Sequence, residues 1–334
     1  MIKRILINGS GSAGQRHLSI AENLFPNTEI AIYSARNSPV RANSKLFFTE
    51  IQEAIDFNPE IAVIAGAASS RMDICLALAK HGTHLLIEKP ISNSSQNVES
   101  LIDVCDQNKT VLAVGYNLQF DESLGFFRDK IQSLRVGIPL LVQGSVGQYL
   151  PSWRDNSDYQ NSVSASSKLG GGALLELSHE INYLEWIFGS INWARATIMR
   201  QSTLKIDVED SAILTFGIEN SSNANLVATV NMDFIRHDYV RYCVVVGELG
   251  TLKWDGIKHE VSVFEKDAKD WNVLFTSKKS IADTYLEEWK DFLHSIETGA
   301  SPRVSGMDGL KTLQVIEAIR LSAPSGQQTM VDRN

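Results

Sequence analysis

The chain has 334 residues, of which 43% are hydrophobic and 21% charged, and carries a formal net charge of −8. That length suits two domains rather than one. The acidic balance, with no Lys/Arg run longer than two residues, argues against a nucleic-acid or anionic-membrane partner, and no apolar run approaches the roughly 20 residues of a membrane span. Cys75, Cys105 and Cys243 are widely spaced in apolar patterns and read as reduced core thiols. A strand pattern beginning at Ile2 leaves no room for a signal peptide, so a cytoplasmic protein is expected.

The first half alternates strands and helices. Residues 2–9, 29–34, 61–66, 84–90 and 110–116 read as buried strands. Residues 15–25, 48–57, 69–82 and 97–108 have helical spacing, with Gly82 at the expected C′ position of the third helix. Such alternation predicts a parallel sheet covered by helices on both faces.

The turn after the first strand is "GSGSAG", with Gly9, Gly11 and Gly14 in the G-x-G-x-x-G spacing between a strand and a helix. The first glycine makes the tight turn, the second admits a pyrophosphate, and the third lets helix and strand pack closely. Ser12 and Ala13 open the helix, whose free N–H groups favour phosphate. A purely structural glycine turn is the alternative. At the end of the second strand, where an NAD site usually has an acid, the chain reads "YSARN". Ser34 and Arg36 suit a 2′-phosphate, which favours NADP over NAD, although Arg36 also reads as a solvated loop residue. The fourth strand ends in Glu88-Lys89-Pro90. Ligands sit outside the carboxyl ends of such strands, which directs Lys89 to the nicotinamide end with Glu88 beside it. The same lysine also reads as an ordinary surface residue. Pro90 allows a cis Lys–Pro bond.

In the second half, "LGGGALLELSHEIN" (169–182) reads as three glycines opening one helix that carries Glu176, His179 and Glu180. Residues three or four apart share a helix face, so Glu176 and His179 can act together. Strands are expected over 139–150, 192–202, 211–219, 223–234, 241–249, 250–256 and 259–266, and helices over 284–299 and 306–323. Hairpin-linked strands predict an antiparallel sheet with one face packed. Residues 154–168 form the one long polar stretch. The remaining histidines lack metal-ligand spacing, so no metal site is expected.

Together "GSGSAGQRH", "EKP", "VGYNLQF" and "GGGALLELSHEINYLEWIFG" resemble the Gfo/Idh/MocA oxidoreductases over nearly the whole chain. The resemblance implies an α/β protein: a Rossmann domain with a doubly wound parallel sheet (1–119), then an α/β domain with a large open, mostly antiparallel sheet (120–334). It implies a catalytic role for Lys89, and carries roles onto Glu176 and His179. The family's usual Asp-x-Gly-x-His-x-x-Asp run is changed here, with Glu for the first acid, a shorter spacing and Asn182 in place of the last acid. The "LSHE" form looks like a sub-branch linked to surface-polysaccharide sugars. In that light Tyr116, Trp153, Arg154 and Tyr159 are expected substrate contacts, and Glu180 an alternative acid. The outer sheet face implies a homo-oligomer.

The reading is an NAD(P)-dependent dehydrogenase acting on a CH–OH group of a sugar, sugar nucleotide or polyol. Lys89 hydrogen-bonds to the reacting oxygen, His179 is the general acid/base, and Glu176 orients it. A glycosidase with transient redox chemistry and a non-catalytic cofactor sensor stand as alternatives.

Overall fold

A computed structural model describes residues 2–34, 46–153, 158–219 and 226–333. They form two compact units, Met1–Tyr116 with Leu286–Leu310, and Asn117–Tyr285 with Lys311–Asn334.

The first unit is built on β1 (Arg4–Asn8), α1 (Ser12–Leu24), β2 (Glu29–Tyr33), β3 (Leu46–Phe48), α2 (Ile51–Asp56), β4 (Ile61–Ile64), α3 (Arg71–Lys80), β5 (His84–Glu88), α4 (Val98–Asn108) and β6 (Leu112–Gly115). The strands form one parallel sheet in the order β3-β2-β1-β4-β5-β6. Strands buried on both faces need unbroken apolar runs, and Ile5–Ile7, Ile61–Ile64 and Leu85–Ile87 supply them. Full burial of each such side chain contributes about 1.5–3 kcal/mol. The short strand β3 was not anticipated from sequence, where residues 48–57 read as helix. Helix α2 starts only at Ile51, behind a capping box between Glu50 and Glu53. Gly82 has φ +80° and terminates α3 as expected. Strand order reverses between β1 and β4, the position at which doubly wound sheets open a ligand crevice.

The second unit contains α5 (Glu122–Gln132), β7 (Pro139–Gly147), α6 (Ala173–Glu176), α7 (His179–Phe188), β8 (Ser190–Met199), β9 (Ser211–Glu219), β10 (Leu226–Asp233), β11 (Val240–Gly247), β12 (Gly250–Asp255), β13 (Glu260–Glu265) and β14 (Asn272–Thr276). Helices α8 (Ile281–Thr298) and α9 (Gly306–Ser322) each contribute residues to both units, and β15 (Thr329–Met330) closes the sheet edge. The nine strands run β14-β13-β12-β11-β7-β10-β9-β8-β15, antiparallel except for the β7/β10 pair. Ala212, Leu214, Phe216, Ala228, Val230 and Met232 alternate onto one face and are buried, with α7 packed on β7, β8 and β9. The sequence did not suggest α5, β14 or β15. Helix α5 is set by Asp121, whose carboxylate accepts the Leu124 N–H at 2.9 Å and pairs with His259 at 2.8 Å.

Candidate active site

The turn between β1 and α1 has the geometry its three glycines imply. Gly9 lies at φ +103°, and a Cβ there would stand 2.8 Å from the Ala65 backbone. A Cβ on Gly14 would stand 1.9 Å from the Gly9 carbonyl oxygen, so helix and turn touch through hydrogen alone. A Cβ on Gly11 would meet nothing within 4 Å. The second glycine therefore borders open space while the first and third are packed, which is the cradle a dinucleotide phosphate needs. The first intrahelical bond of α1 runs from the Gln15 N–H to the Gly11 oxygen, and no side chain caps the helix. The N–H groups of Ser12, Ala13 and Gly14 stay outside the helical ladder, at its positive end. The residues fit the phosphates of NAD(P).

Ser34, just past β2, is buried, and its hydroxyl lies 3.4 Å from that of Ser10 in the turn. Arg36 lies outside the described residues.

Lys89 follows β5 directly, and the Lys89–Pro90 peptide is cis, the isomer read from Pro90. Several groups unforeseen in the sequence surround it. Arg71, the buried first residue of α3, donates through its guanidinium to the Glu88 and Pro90 carbonyls, and through Nε to Gly66 at 2.9 Å. His17 of α1 is fully buried and contacts Glu88 through Nε2, 3.1 Å from Oε1. Trp289 of α8 donates its indole N–H to His17 Nδ1 at 3.0 Å. Burial alone would raise the Glu88 carboxyl. The His17 contact first, then the Lys89 and Arg71 charges, outweigh it and hold the group below the usual carboxylate range. Glu288, next to Trp289, is buried, and neither carboxyl oxygen has a hydrogen-bond partner among the described residues. Burial first, then the charge of Glu88, push its carboxyl well above the usual range. Tyr116 is fully buried at the end of this unit. An Arg opening a helix and a His three residues after the last motif glycine were the available sequence signals, but neither names its partner.

In the second unit, the segment read as one helix is two. Helix α6 ends at Glu176, Leu177 departs from helical geometry (φ −101°, ψ 20°), and α7 begins at His179. The break removes the shared-face argument for Glu176 and His179. The glycine run has a reason visible only in three dimensions. Gly172 sits at φ +106°, and a Cβ there would stand 2.3 Å from Glu209 Oε1. That oxygen accepts the Leu174 N–H at 2.9 Å, while a Cβ on Gly171 would strike the Val163 carbonyl at 2.2 Å. Glu176 is half-buried and His179 buried. Glu180 has no exposed surface. Its Oε1 takes the Arg241 Nε–H at 2.9 Å, so this acid ties α7 to β11. Asn182 accepts from Gln119 Nε2 at 2.9 Å, and its own amide reaches Thr312 at 3.3 Å.

Trp153 is half-buried, edge-on to Phe234, with its indole bonded to the Gln148 carbonyl at 3.0 Å. The Tyr159 hydroxyl accepts the Lys205 N–H at 3.2 Å. Arg154 lies outside the described residues. Among the described residues no group of three or more His, Cys, Asp or Glu side chains is placed to share an ion, and no helix is long and apolar enough to cross a membrane.

Residues 3–116 match the oxidoreductase family described as an NAD-binding Rossmann fold, and 128–331 match its C-terminal alpha/beta domain. The inositol 2-dehydrogenase of Salmonella typhimurium is 22% identical over 98% of this chain and 96% of its own. Levoglucosan dehydrogenase, solved with NADH and levoglucosan, superposes with a TM-score of 0.84 at 19% identity, covering 99% of this chain and 100% of that one. The WlbA dehydrogenase of Bordetella pertussis, solved with NADH and UDP-GlcNAcA, superposes at 0.81 with 17% identity, covering 100% and 99%. A phosphate cradle at the β1–α1 turn, a lysine at the carboxyl end of β5, and two family matches spanning both units lead to one conclusion: the chain belongs to the Gfo/Idh/MocA family of NAD-binding oxidoreductases.

Proposed function

We propose that the protein is an NAD(P)-dependent dehydrogenase of a cyclic polyol or sugar, free or nucleotide-linked, and that it serves surface-polysaccharide sugar metabolism. The observation that carries the reading is Lys89 fixed at the carboxyl end of β5, in the same sheet whose β1–α1 turn leaves open space at Gly11. The inositol, levoglucosan and UDP-sugar dehydrogenases that resemble the chain support the substrate class. A bound nicotinamide supplies hydride chemistry at its C4. Lys89 hydrogen-bonds to the reacting hydroxyl and takes its proton as the carbon–oxygen double bond forms, then returns it in the reverse direction. His179 is the general acid/base with which Lys89 exchanges that proton, and Glu176 orients His179 or the substrate. Trp153, Arg154 and Tyr159 are substrate contacts. Glu180, closed off by Arg241, anchors α7 instead. The buried free thiols Cys75, Cys105 and Cys243 suit a reducing, cytoplasmic setting.

The deciding experiment is Lys89→Met, assayed by nicotinamide absorbance on the best substrate from a panel of inositols, sugars and UDP-sugars. Turnover falls by about 100-fold or more, as for loss of a proton-transfer group, while cofactor affinity stays within a few-fold. Near-normal turnover refutes the role of Lys89. Sugar cleavage without net absorbance change points to transient redox hydrolysis, and cofactor binding without turnover on any substrate points to a sensor.

NADP(H) is the proposed preferred cofactor. No acid follows β2 in the sequence; Ser34 and Arg36 follow it instead, residue types that suit a 2′-phosphate. Charge-assisted bonds of this kind contribute about 1.5–3 kcal/mol. Arg36→Ala therefore weakens NADPH binding by roughly 10- to 100-fold and leaves NADH binding nearly unchanged. Fluorescence titration of both cofactors checks this, and equal losses for the two would make Arg36 a loop residue only.

A further inference from the structure

The contacts around Glu88 exceed what a strand end requires. An indole N–H can only donate, so the Trp289 contact at 3.0 Å makes Nδ1 of His17 an acceptor and leaves the proton on Nε2. That N–H is directed at Glu88 Oε1, 3.1 Å away. The other carboxylate oxygen of Glu88 accepts the Lys89 backbone N–H at 3.2 Å. His17 stands on α1, three residues after Gly14 of the phosphate cradle. One imidazole therefore joins the helix that opens at the phosphate turn to the carboxylate that holds the Lys89 backbone. From the other side, Arg71 takes the carbonyls before and after Lys89 and fastens them to Gly66, past β4. The groups acting on Glu88 are His17 first, then Lys89 and Arg71. Glu288 faces it from α8, itself acted on by Arg16 and Asp291.

We propose that His17 is a positioning residue for Lys89 and couples it to occupancy of the phosphate cradle: a small shift of α1 on cofactor binding passes through the imidazole and Glu88 to the lysine. The inference rests on the reading of Lys89 as the proton-transfer group. Trp289 sets the imidazole tautomer, and Arg71 holds the backbone on which the coupling acts.

The test compares His17→Gln with His17→Asn. The longer amide reaches from α1 to Glu88 and donates as Nε2 does. The shorter one occupies the place of Nδ1 and meets Trp289 alone. Lysines are ¹³C-dimethylated by reductive methylation, and the Lys89 resonance is assigned by its loss in Lys89→Arg. In wild-type protein, NADPH or NADH shifts this resonance. His17→Gln retains most of the shift, whereas His17→Asn loses it while its cofactor dissociation constant stays within about threefold of wild type. Turnover follows the same order, with His17→Asn lowered about tenfold or more at unchanged KM for the cofactor. A wild-type resonance indifferent to cofactor, equal shifts in both variants, or equal losses in both overturns the coupling. Should His17→Asn fail to fold, Trp289→Phe, which frees the tautomer, takes its place and must reduce the shift. Normal turnover in Lys89→Met instead removes the role of Lys89 itself, whatever the His17 variants do. An inactive Lys89→Met with a full shift in His17→Asn removes only the coupling.

Discussion

Glu288 shows how far a single side chain can depart from what its letter suggests. In the sequence it is one of several acids on an amphipathic helix. In the fold it is buried beside Glu88, with no hydrogen-bond partner for either oxygen among the described residues. Two neighbouring buried carboxyls do not both ionise readily, and His17, Lys89 and Arg71 make Glu88 the charged one. Glu288 therefore keeps its proton in the folded state at pH values where the unfolded chain, with an ordinary Glu near 4.3, has lost it. The folded state binds the extra proton, so this group's contribution to stability falls as pH rises above about 4.3 toward its raised folded value. Glu288→Leu should remove that slope and stabilise the protein near neutral pH by about 1–3 kcal/mol, the cost of an unsatisfied buried polar group. Urea unfolding of both proteins between pH 5 and 8 measures it, and parallel pH profiles would contradict the assignment. Arg71 and His17 belong to the same class, since their roles depend on partners 17 to 71 residues away.

Turns and helix ends divide more evenly. The β1–α1 turn was legible because each glycine has a local geometric reason, and the three reasons predict different mutational outcomes. Gly11 has φ −75° and open space beyond its Cα. Gly11→Ala should leave thermal stability within about 0.5 kcal/mol, as for a substitution without steric conflict, yet weaken NAD(P)H binding by roughly tenfold or more, because the methyl group enters the phosphate approach. Differential scanning calorimetry and cofactor titration separate the two effects, and an unaltered dissociation constant would place the phosphates elsewhere. The glycine run at 170–172 was legible as a tight entry but not for its cause. Gly171 and Gly172 are required by the Val163 carbonyl and the Glu209 carboxylate. The stretch 169–182 read as one helix opened by the glycines, and the break at Leu177 and Ser178 separates Glu176 from His179.

The nine-stranded sheet has a second face, opposite the one onto which Ala212, Leu214 and Phe216 point. Across it runs a register row of Trp193, Gly217, Val227, Leu141, Val246, Thr251 and Phe264, and apart from Gly217 its members are half-buried. Trp193 lies over Gly217, where a Cβ would stand 1.9 Å from its Nε1. A half-buried row of this composition supports the proposed homo-oligomer. Trp193→Glu places a charge at the β8 end of the row and should reduce the proposed oligomer to monomer, seen as a drop in mass by sedimentation velocity or native mass spectrometry. A wild-type monomer at micromolar concentration, or a variant of unchanged mass, would assign the face no such role.

Local physics alone determined the alternating strands and helices, the phosphate turn, the cis-capable Lys89–Pro90 step, and the switch to hairpin-linked strands after residue 139. Each follows from side-chain period, glycine and proline geometry, or capping within a few residues of sequence, and the family match spans the same stretches. The tertiary structure decided what depends on contacts distant in the chain. Strand β3 pairs only because β2 is there to receive it, and α5 starts where Asp121 finds both the Leu124 N–H and His259. Glu180 became an ion-pair anchor because β11 brings Arg241 against α7. The return of Leu286–Leu310 to the first unit delivers Trp289 and Glu288 to His17 and Glu88. No periodicity encodes that meeting. It arises from burial of Trp289 and Phe292 against Ile5, Ile7 and Leu18, an apolar driving force that specifies which surfaces close but not, letter by letter, which polar groups are carried in with them.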